Sequence, residues 1–341
     1  MNFKSDNVAS VHPLIMQAIV DANTGMACSY GHDSYSEEMQ KVMSQVFEKE
    51  VFPFLVCSGT SANSLALSAI CPPYAEIYCS NDAHILHDEC NAPGLFTHGA
   101  RLVPSTSTPS KINVESIVAS CEWAKNNRPH ACKPGCVTIT QTTELGQVYS
   151  LEEIQKVAKV AHENGMKLHM DGARFTNAMV SLGCTPAEMT WKSGVDVISF
   201  GATKNGGMMG EVVLFFDEKL AHDFDYIHKR GGQLMSKTRF FASQMIAFFK
   251  DDLWIKLAKH SNQMAKKLEN GIKDSEKVKI VHPVVANELF VKAKRTDIQK
   301  LWDQGALFYE WNIKEDLYRF VTSWATKESE IEAFTALIRS L

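Results

Sequence analysis

Lys167-Leu168-His169-Met170-Asp171-Gly172-Ala173-Arg174 and, further along, Asp196-Val197-Ile198-Ser199-Phe200-Gly201-Ala202-Thr203-Lys204-Asn205-Gly206 decide the fold. Each stretch begins as an apolar run of strand length and ends in a charged residue, an acid in the first and an amine in the second. The run Ser150 to Gly165 before the first has helical periodicity and closes on a glycine suited to a helix C-terminus. Strand, helix, strand, helix, strand is the text of a parallel sheet with covering helices. The C-terminal ends of such strands line up along one edge, where ligands bind, so the acid and the amine are expected to face the same crevice.

Outward from this centre the alternation continues. Residues 52–57, 76–80, 101–105, 136–141 and 211–216 read as strands, and 61–70 and 113–126 as helices. Residues 11–23 read as a helix opened by Pro13, and 34–50 as another with Ser34 or Ser36 as N-cap. Helical text runs on to about Asn270, after which the texture changes. Short strands at 287–293, 306–311 and 318–324 are interleaved with amphipathic helices at 296–304 and 327–340. The expected class is α/β, with a mostly parallel sheet in a large domain and a smaller α+β C-terminal domain. The expected division is an N-terminal segment 1–30 joining the large domain, the large domain 31–250 and the small domain 251–341.

With 341 residues and 45% hydrophobic content, the chain can bury a large core and a smaller one. Charged residues are 22% of the total and the net charge is -4, which gives no basic footprint for nucleic acid. The start, Met1 to Leu14, lacks the apolar core of a signal peptide, and no apolar run is long enough to cross a bilayer. The nine cysteines form no CxxC pair and are odd in number, so reduced thiols in a cytoplasm are expected rather than disulfides or zinc.

Lys204 follows an apolar strand in a turn with Gly201, Gly206 and Gly207. Glycines allow close backbone approach to a ligand, and a desolvated lysine amine attacks carbonyls. Read alone it is an ordinary solvated lysine. Paired with Asp171 it is what pyridoxal phosphate needs: an amine for the aldehyde and an acid for the ring nitrogen. Asp171 equally suits a helix N-cap before Arg174. Ser58-Gly59-Thr60 closes a strand and opens a helix, the arrangement that holds phosphate on free N–H groups, or merely a capped turn. No GxGxxG or GxxxxGK follows a strand, which removes support from nucleotide readings. His84 and His87 have metal-like spacing but no convincing third ligand. A ring stacked on a flat cofactor, or a structural histidine, are the other readings of His84. Arg174 and Arg319 offer guanidinium forks for a carboxylate.

These residues together resemble the threonine aldolases, within the fold-type-I pyridoxal-phosphate enzymes and the β-eliminating lyase group. The resemblance covers nearly the whole chain. It rests on Ser5-Asp6-Asn7-Val8, Tyr30-Gly31-His32-Asp33, Ser58-Gly59-Thr60, Asp82-Ala83-His84, His169 to Arg174, Ser199 to Gly206 and Tyr318 to Thr322. It implies pyridoxal 5'-phosphate as cofactor and aldol cleavage of L-threonine, L-allo-threonine and other β-hydroxy-α-amino acids to glycine and an aldehyde. Lys204 is then the Schiff-base lysine, Asp171 the ring-nitrogen partner and His84 the stacking residue. Ser58, Gly59 and Thr60 hold the phosphate, and Ser5, Arg174 and Arg319 grip the substrate carboxylate, with Arg174 also beside the cofactor and Tyr30 near the substrate. A homotetramer is implied, a dimer of dimers with sites at subunit interfaces, in which a basic residue of His228 to Lys237 reaches a neighbour's phosphate.

One departure matters. Where many members carry a histidine near the substrate hydroxyl, this chain reads Thr140-Gln141-Thr142-Thr143-Glu144-Leu145-Gly146. The hydroxyl base is therefore open among His84, Glu144 and a water. Another pyridoxal-phosphate reaction on the same frame (lyase, transaminase or racemase), or an inactive scaffold, are the competing functions.

Overall fold

A computed structural model describes residues 1–105 and 110–341. A seven-stranded sheet is built from β1 (Phe52–Val56), β2 (Ala75–Ser80), β3 (Arg101–Ser105), β4 (Lys133–Thr140), β5 (Lys167–Gly172), β6 (Val197–Gly201) and β7 (Glu211–Phe215), in the order β1-β7-β6-β5-β4-β2-β3. The pairs β2–β3, β2–β4, β4–β5 and β5–β6 are parallel, whereas β7 runs antiparallel to both β1 and β6. Every residue of β2, β6 and β7 is buried. That is why these strands read as unbroken apolar runs rather than alternating ones.

The helices follow from local chemistry. Ser150 and Glu153 form a reciprocal capping box on the helix Leu151–Glu163, and Gly165 beyond it takes φ 70. The helix at Ser34–Val46 is capped by Asp33, which accepts from the Ser36 amide, and not by Ser34 or Ser36. An aspartate one residue upstream is the stronger acceptor for an orphan N–H.

A second, antiparallel sheet has the order β10-β11-β9-β8, from β8 (Val278–Ile280), β9 (Glu288–Ala293), β10 (Tyr309–Asn312) and β11 (Leu317–Val321). The helices Arg295–Asp303 and Glu328–Arg339 pack with it. Within residues 1–30, Phe3 hydrogen-bonds Leu307 and Val321 and is buried in the small core, while the helix Pro13–Asp21 packs against the helix Arg239–Phe249. The helix Leu253–Ile272 is shared, with Leu253, Trp254 and Leu257 in the large core and Met264, Leu268 and Ile272 in the small one. A single amphipathic helix thus fixes the crevice between the two sheets.

Beneath that crevice Phe200 of β6 is fully buried, with the rings of Phe175, Phe249 and Phe47 at 5.4, 5.6 and 6.0 Å. A buried Phe contributes roughly 1.5–3 kcal/mol relative to exposure. This aromatic packing holds the strand that delivers Lys204.

Candidate active site

The strand ends converge on a cavity of ≈ 400 Å³ whose lining includes Ser5, Gly59, His84, Glu144, Asp171, Arg174, Lys204 and Arg319. β5 and β6 are paired with Asp171 opposite Ser199, so the chain leaving β6 brings Lys204 to the same edge. Two glycines make this possible. A Cβ on Gly172 would lie 2.8 Å from the Ser199 carbonyl oxygen, closer than packing allows, so only glycine lets β5 and β6 stay paired there. Gly206 closes the Lys204 turn at φ 99, in the left-handed region where a side chain is strained.

Asp171 is 6% exposed and does not cap a helix; Arg174 occupies that N-cap position. Its Oδ1 accepts from the Ala173 amide at 3.0 Å and its Oδ2 from Asn63 Nδ2 at 2.8 Å. Asn63 also donates to Glu89 Oε1 at 2.9 Å, which receives His84 Nδ1 at 2.8 Å. The buried Glu89 carboxylate raises the His84 pKa, against an opposing push from burial, with the Asp171 charge adding to the rise. The Glu89 contact thus fixes the ring and favours its protonated form. His87 turns away to the Asn81 carbonyl at 2.6 Å, so the two histidines do not converge.

The two arginines differ. Arg174 is committed within the chain: Nε and Nη2 donate to the two oxygens of Asp6 at 2.7 and 3.0 Å, and Nη1 lies 3.4 Å from Glu288. Ser5 is drawn into the same knot, capping the turn 6–8 and donating to Asp6. Arg319 reaches Glu288 only at 3.5 Å, lies 4.7 Å from the Trp311 ring centroid, and keeps a buried Nε with no partner among the described residues. Arg319 is therefore the guanidinium with spare donors, and Arg174 the one that braces the wall.

Burial raises the Asp6 carboxyl, but Arg174 and then Lys204 outweigh it, so its pKa is lowered. The Asp6–Arg174 contribution to stability is thus present above the ordinary carboxylate range of about 4 and is lost as the pH falls below it. Arg174→Gln should cost roughly 3–5 kcal/mol at neutral pH by stranding two buried carboxylates. Urea midpoints of the two proteins should differ at pH 7 and converge in acid. Equal midpoints at pH 7 would refute the brace.

The structure does not bring every expected residue together. Ser58 is the N-cap of the helix Gly59–Ile70, and Thr60 sits in its first turn, so both lie at the mouth without lining the cavity. Tyr30 is outside it, in a separate hollow with His32 and His228 and under Lys229 Nζ at 4.9 Å. Asn63, Glu89, Asp6 and Glu288 were not singled out by sequence reasoning. Asn63 and Glu89 lie close in sequence to motifs already quoted, four residues past Gly59 and five past His84.

The residues fit pyridoxal phosphate on the structure's own terms. A Cβ on Gly59 would meet nothing within 4 Å, which leaves the helix N-terminus open to an anion. Buried Asn63 Oδ1, Glu89 Oε2, Glu144 Oε2 and Arg319 Nε lack partners among the described residues, as expected of walls shaped for a polar occupant.

Comparison with known proteins agrees with this geometry. Residues 2–296 match the beta-eliminating lyase family. The low specificity L-threonine aldolase of Pseudomonas sp. (strain NCIMB 10558) is 40% identical over 339 residues, covering 99% of this chain and 97% of that protein. The protein of the same name from Pseudomonas aeruginosa is also 40% identical, over 99% and 96%. Among solved structures, the threonine aldolase of Leishmania major superposes with a TM-score of 0.92 at 27% identity, covering 99% of this chain and 98% of the other.

Proposed function

The chain belongs to the beta-eliminating lyase family, and from that premise we propose that it cleaves L-threonine, L-allo-threonine and related β-hydroxy-α-amino acids to glycine and an aldehyde, with pyridoxal 5'-phosphate as cofactor. The observation that carries this reading is the meeting of Lys204, Asp171 and Arg319 in one cavity at the sheet edge.

Lys204 would hold the cofactor covalently, Asp171 would pair with its ring nitrogen, Ser58, Gly59 and Thr60 would hold its phosphate, and His84 would cover its ring face. When bound, that group supplies an electron sink for the pair released at the substrate Cα. The protein's own task is orientation. Arg319, with Ser5 beside it, fixes the substrate carboxylate and so turns the Cα–Cβ bond. Arg174 holds Asp6 and Glu288 in place behind them. Glu89 fixes the His84 ring on the cavity wall through Nδ1.

Incubation with L-threonine should release acetaldehyde and glycine in equal amounts. An α-keto acid or ammonia in place of acetaldehyde would assign a transaminase or an eliminating lyase instead.

Arg319→Gln should raise KM by on the order of 10²-fold, as expected for losing one partner of a buried charge pair, with a smaller change in kcat. An amino alcohol lacking the carboxylate should bind both proteins alike. A purely lowered kcat at constant KM would remove Arg319 from the carboxylate.

We place the protein in the cytoplasm as a homotetramer, a dimer of dimers with sites at subunit interfaces. No helix of the described residues is long and apolar enough to cross a membrane. The nine cysteines are free thiols. Leu14, Met16, Val20, Met26 and Tyr30 are exposed apolar side chains near the N-terminus, the kind of surface that contact with a second copy would cover.

A further inference from the structure

Glu144 stands on the cavity wall in the segment after β4, and its two carboxylate oxygens have unlike surroundings. Oε1 is saturated, accepting from the His84 backbone N–H at 2.9 Å and from Thr140 Oγ1 at 2.7 Å. Oε2 is buried and has no hydrogen-bond partner among the described residues. The residue is 9% exposed, so the bare oxygen is not solvated either. An unpaired buried carboxylate oxygen is costly unless an occupant of the cavity supplies the donor.

We propose that Glu144 is the catalytic base of this site, taking the proton of the substrate's β-hydroxyl on Oε2. The proposal rests on the aldol-cleavage reading. In the step the hydroxyl O–H bond breaks and an Oε2–H bond forms. The freed O–H electron pair becomes the second C–O bond of the aldehyde. The Cα–Cβ pair stays with Cα, which later takes a proton to become glycine. The proton on Glu144 leaves to solvent once the aldehyde has gone.

The other acids of the wall are occupied or misplaced. Asp171 already has a donor on each oxygen, Asp6 is held by Arg174 and Asn287, and Glu288 faces both arginines and Thr142. Glu89 also has a bare oxygen, but its side chain is fully buried and turned to His84 and Asn63. Asp88 is exposed and solvated. His84 has its Nδ1 committed to Glu89 at 2.8 Å and is the ring assigned to the cofactor face, which leaves the hydroxyl to another group.

Its acidity suits the task. Burial pushes the Glu144 carboxyl up to about 7, although Thr140 and the His84 amide pull it down; the Asp171 charge adds to the rise. A base that titrates near working pH is the efficient one. The groups facing it are His84, Thr140, Asp171, Cys79 of β2 and Tyr149. Burial pushes Cys79 up to about 12 and raises Tyr149 as well, so neither titrates near neutrality.

The test compares wild type, Glu144→Gln and Glu144→Asp as holoenzymes. For wild type, log(kcat/KM) for L-threonine should rise through an acidic limb near pH 7. Glu144→Gln should cleave L-threonine on the order of 10²–10⁴-fold more slowly, the range for a lost general base, and lose that limb. It should still exchange the α-proton of glycine, which has no β-hydroxyl, within a few-fold of wild type. Glu144→Asp, which keeps a carboxylate, should recover part of the cleavage. In cofactor-free protein, infrared difference titration should show a carboxyl near pH 7 that Glu144→Gln lacks; a second such signal, from Glu211, should remain. Unchanged cleavage with the acidic limb intact would overturn the proposal and leave the aldol reading standing. Equal loss of cleavage and glycine exchange would assign Glu144 a structural role. A wild-type enzyme that releases no acetaldehyde would remove the reading itself, and this step with it.

Discussion

Lys204→Ala should abolish covalent capture of the cofactor and lower turnover by on the order of 10⁴-fold or more, the scale expected when a covalent catalyst loses its reacting group. The expectation comes from position. Lys204 projects from the turn Thr203–Asn205 that follows β6, half-buried at the cavity, with Asp6, His84 and Glu211 close enough to feel its charge. Its amine makes no hydrogen bond among the described residues, so alanine breaks none. The aromatic cluster under Phe200 and the glycine turn at 206 remain, and the variant should fold as wild type does. Borohydride reduction of the wild-type holoenzyme, followed by peptide mass spectrometry, should place the cofactor on the Lys204 peptide. The variant should be colourless after the same treatment and dialysis. Trapping on another lysine, or a variant that keeps both colour and turnover, would dismiss the assignment.

That position was readable before any coordinates because it depends on local text. Two apolar runs ending in Asp171 and Lys204 must form neighbouring strand ends if the helices between them are crossovers. The antiparallel course of β7 was less legible. Its residues, Glu211 to Phe215, are all buried, and a strand covered on both faces reads the same in either direction. A clue was present in the connection 202–210, too short for the dozen or more residues that a parallel crossover needs. The wall of the cavity was not legible at all. Asp6 meets Arg174 and Asn287, and Asn63 meets Asp171, across chain separations that carry no periodic signal. Arg174 looked like a free clamp because sequence shows the guanidinium and not the carboxylates already bound to it. Glu144 looked like a gap in a motif; its unpaired oxygen became visible only when Thr140 and the His84 amide were seen to satisfy the other one.

Asp171→Ala should lower kcat by roughly 10²–10³-fold, the usual cost of removing one preorganised electrostatic partner from a reacting system. The acid is buried and held on both oxygens, by the Ala173 amide and by Asn63. Neither donor neutralises it, so a negative charge is kept at the floor of the cavity, where an N–H on the cofactor ring is its natural counterpart. With that charge gone a bound cofactor would keep its ring-nitrogen proton less firmly and would supply a weaker sink for the Cα electron pair. The same loss reaches His84, whose proton affinity Asp171 and Glu89 jointly raise, so the His84 pKa should fall in cofactor-free Asp171→Ala as followed by nitrogen NMR. A cofactor methylated on its ring nitrogen carries a positive charge without any partner. Loaded into Asp171→Ala, where the shortened side chain leaves room for the methyl group, it should restore at least about tenfold of the lost rate, since about 1.4 kcal/mol of charge stabilisation suffices for that. In wild type the same analogue should bind poorly against the intact carboxylate and its two donors. Rescue separates an electrostatic role from a structural one: if the methylated cofactor binds Asp171→Ala yet leaves its rate unchanged, the acid at the end of β5 supports the walls and not the ring.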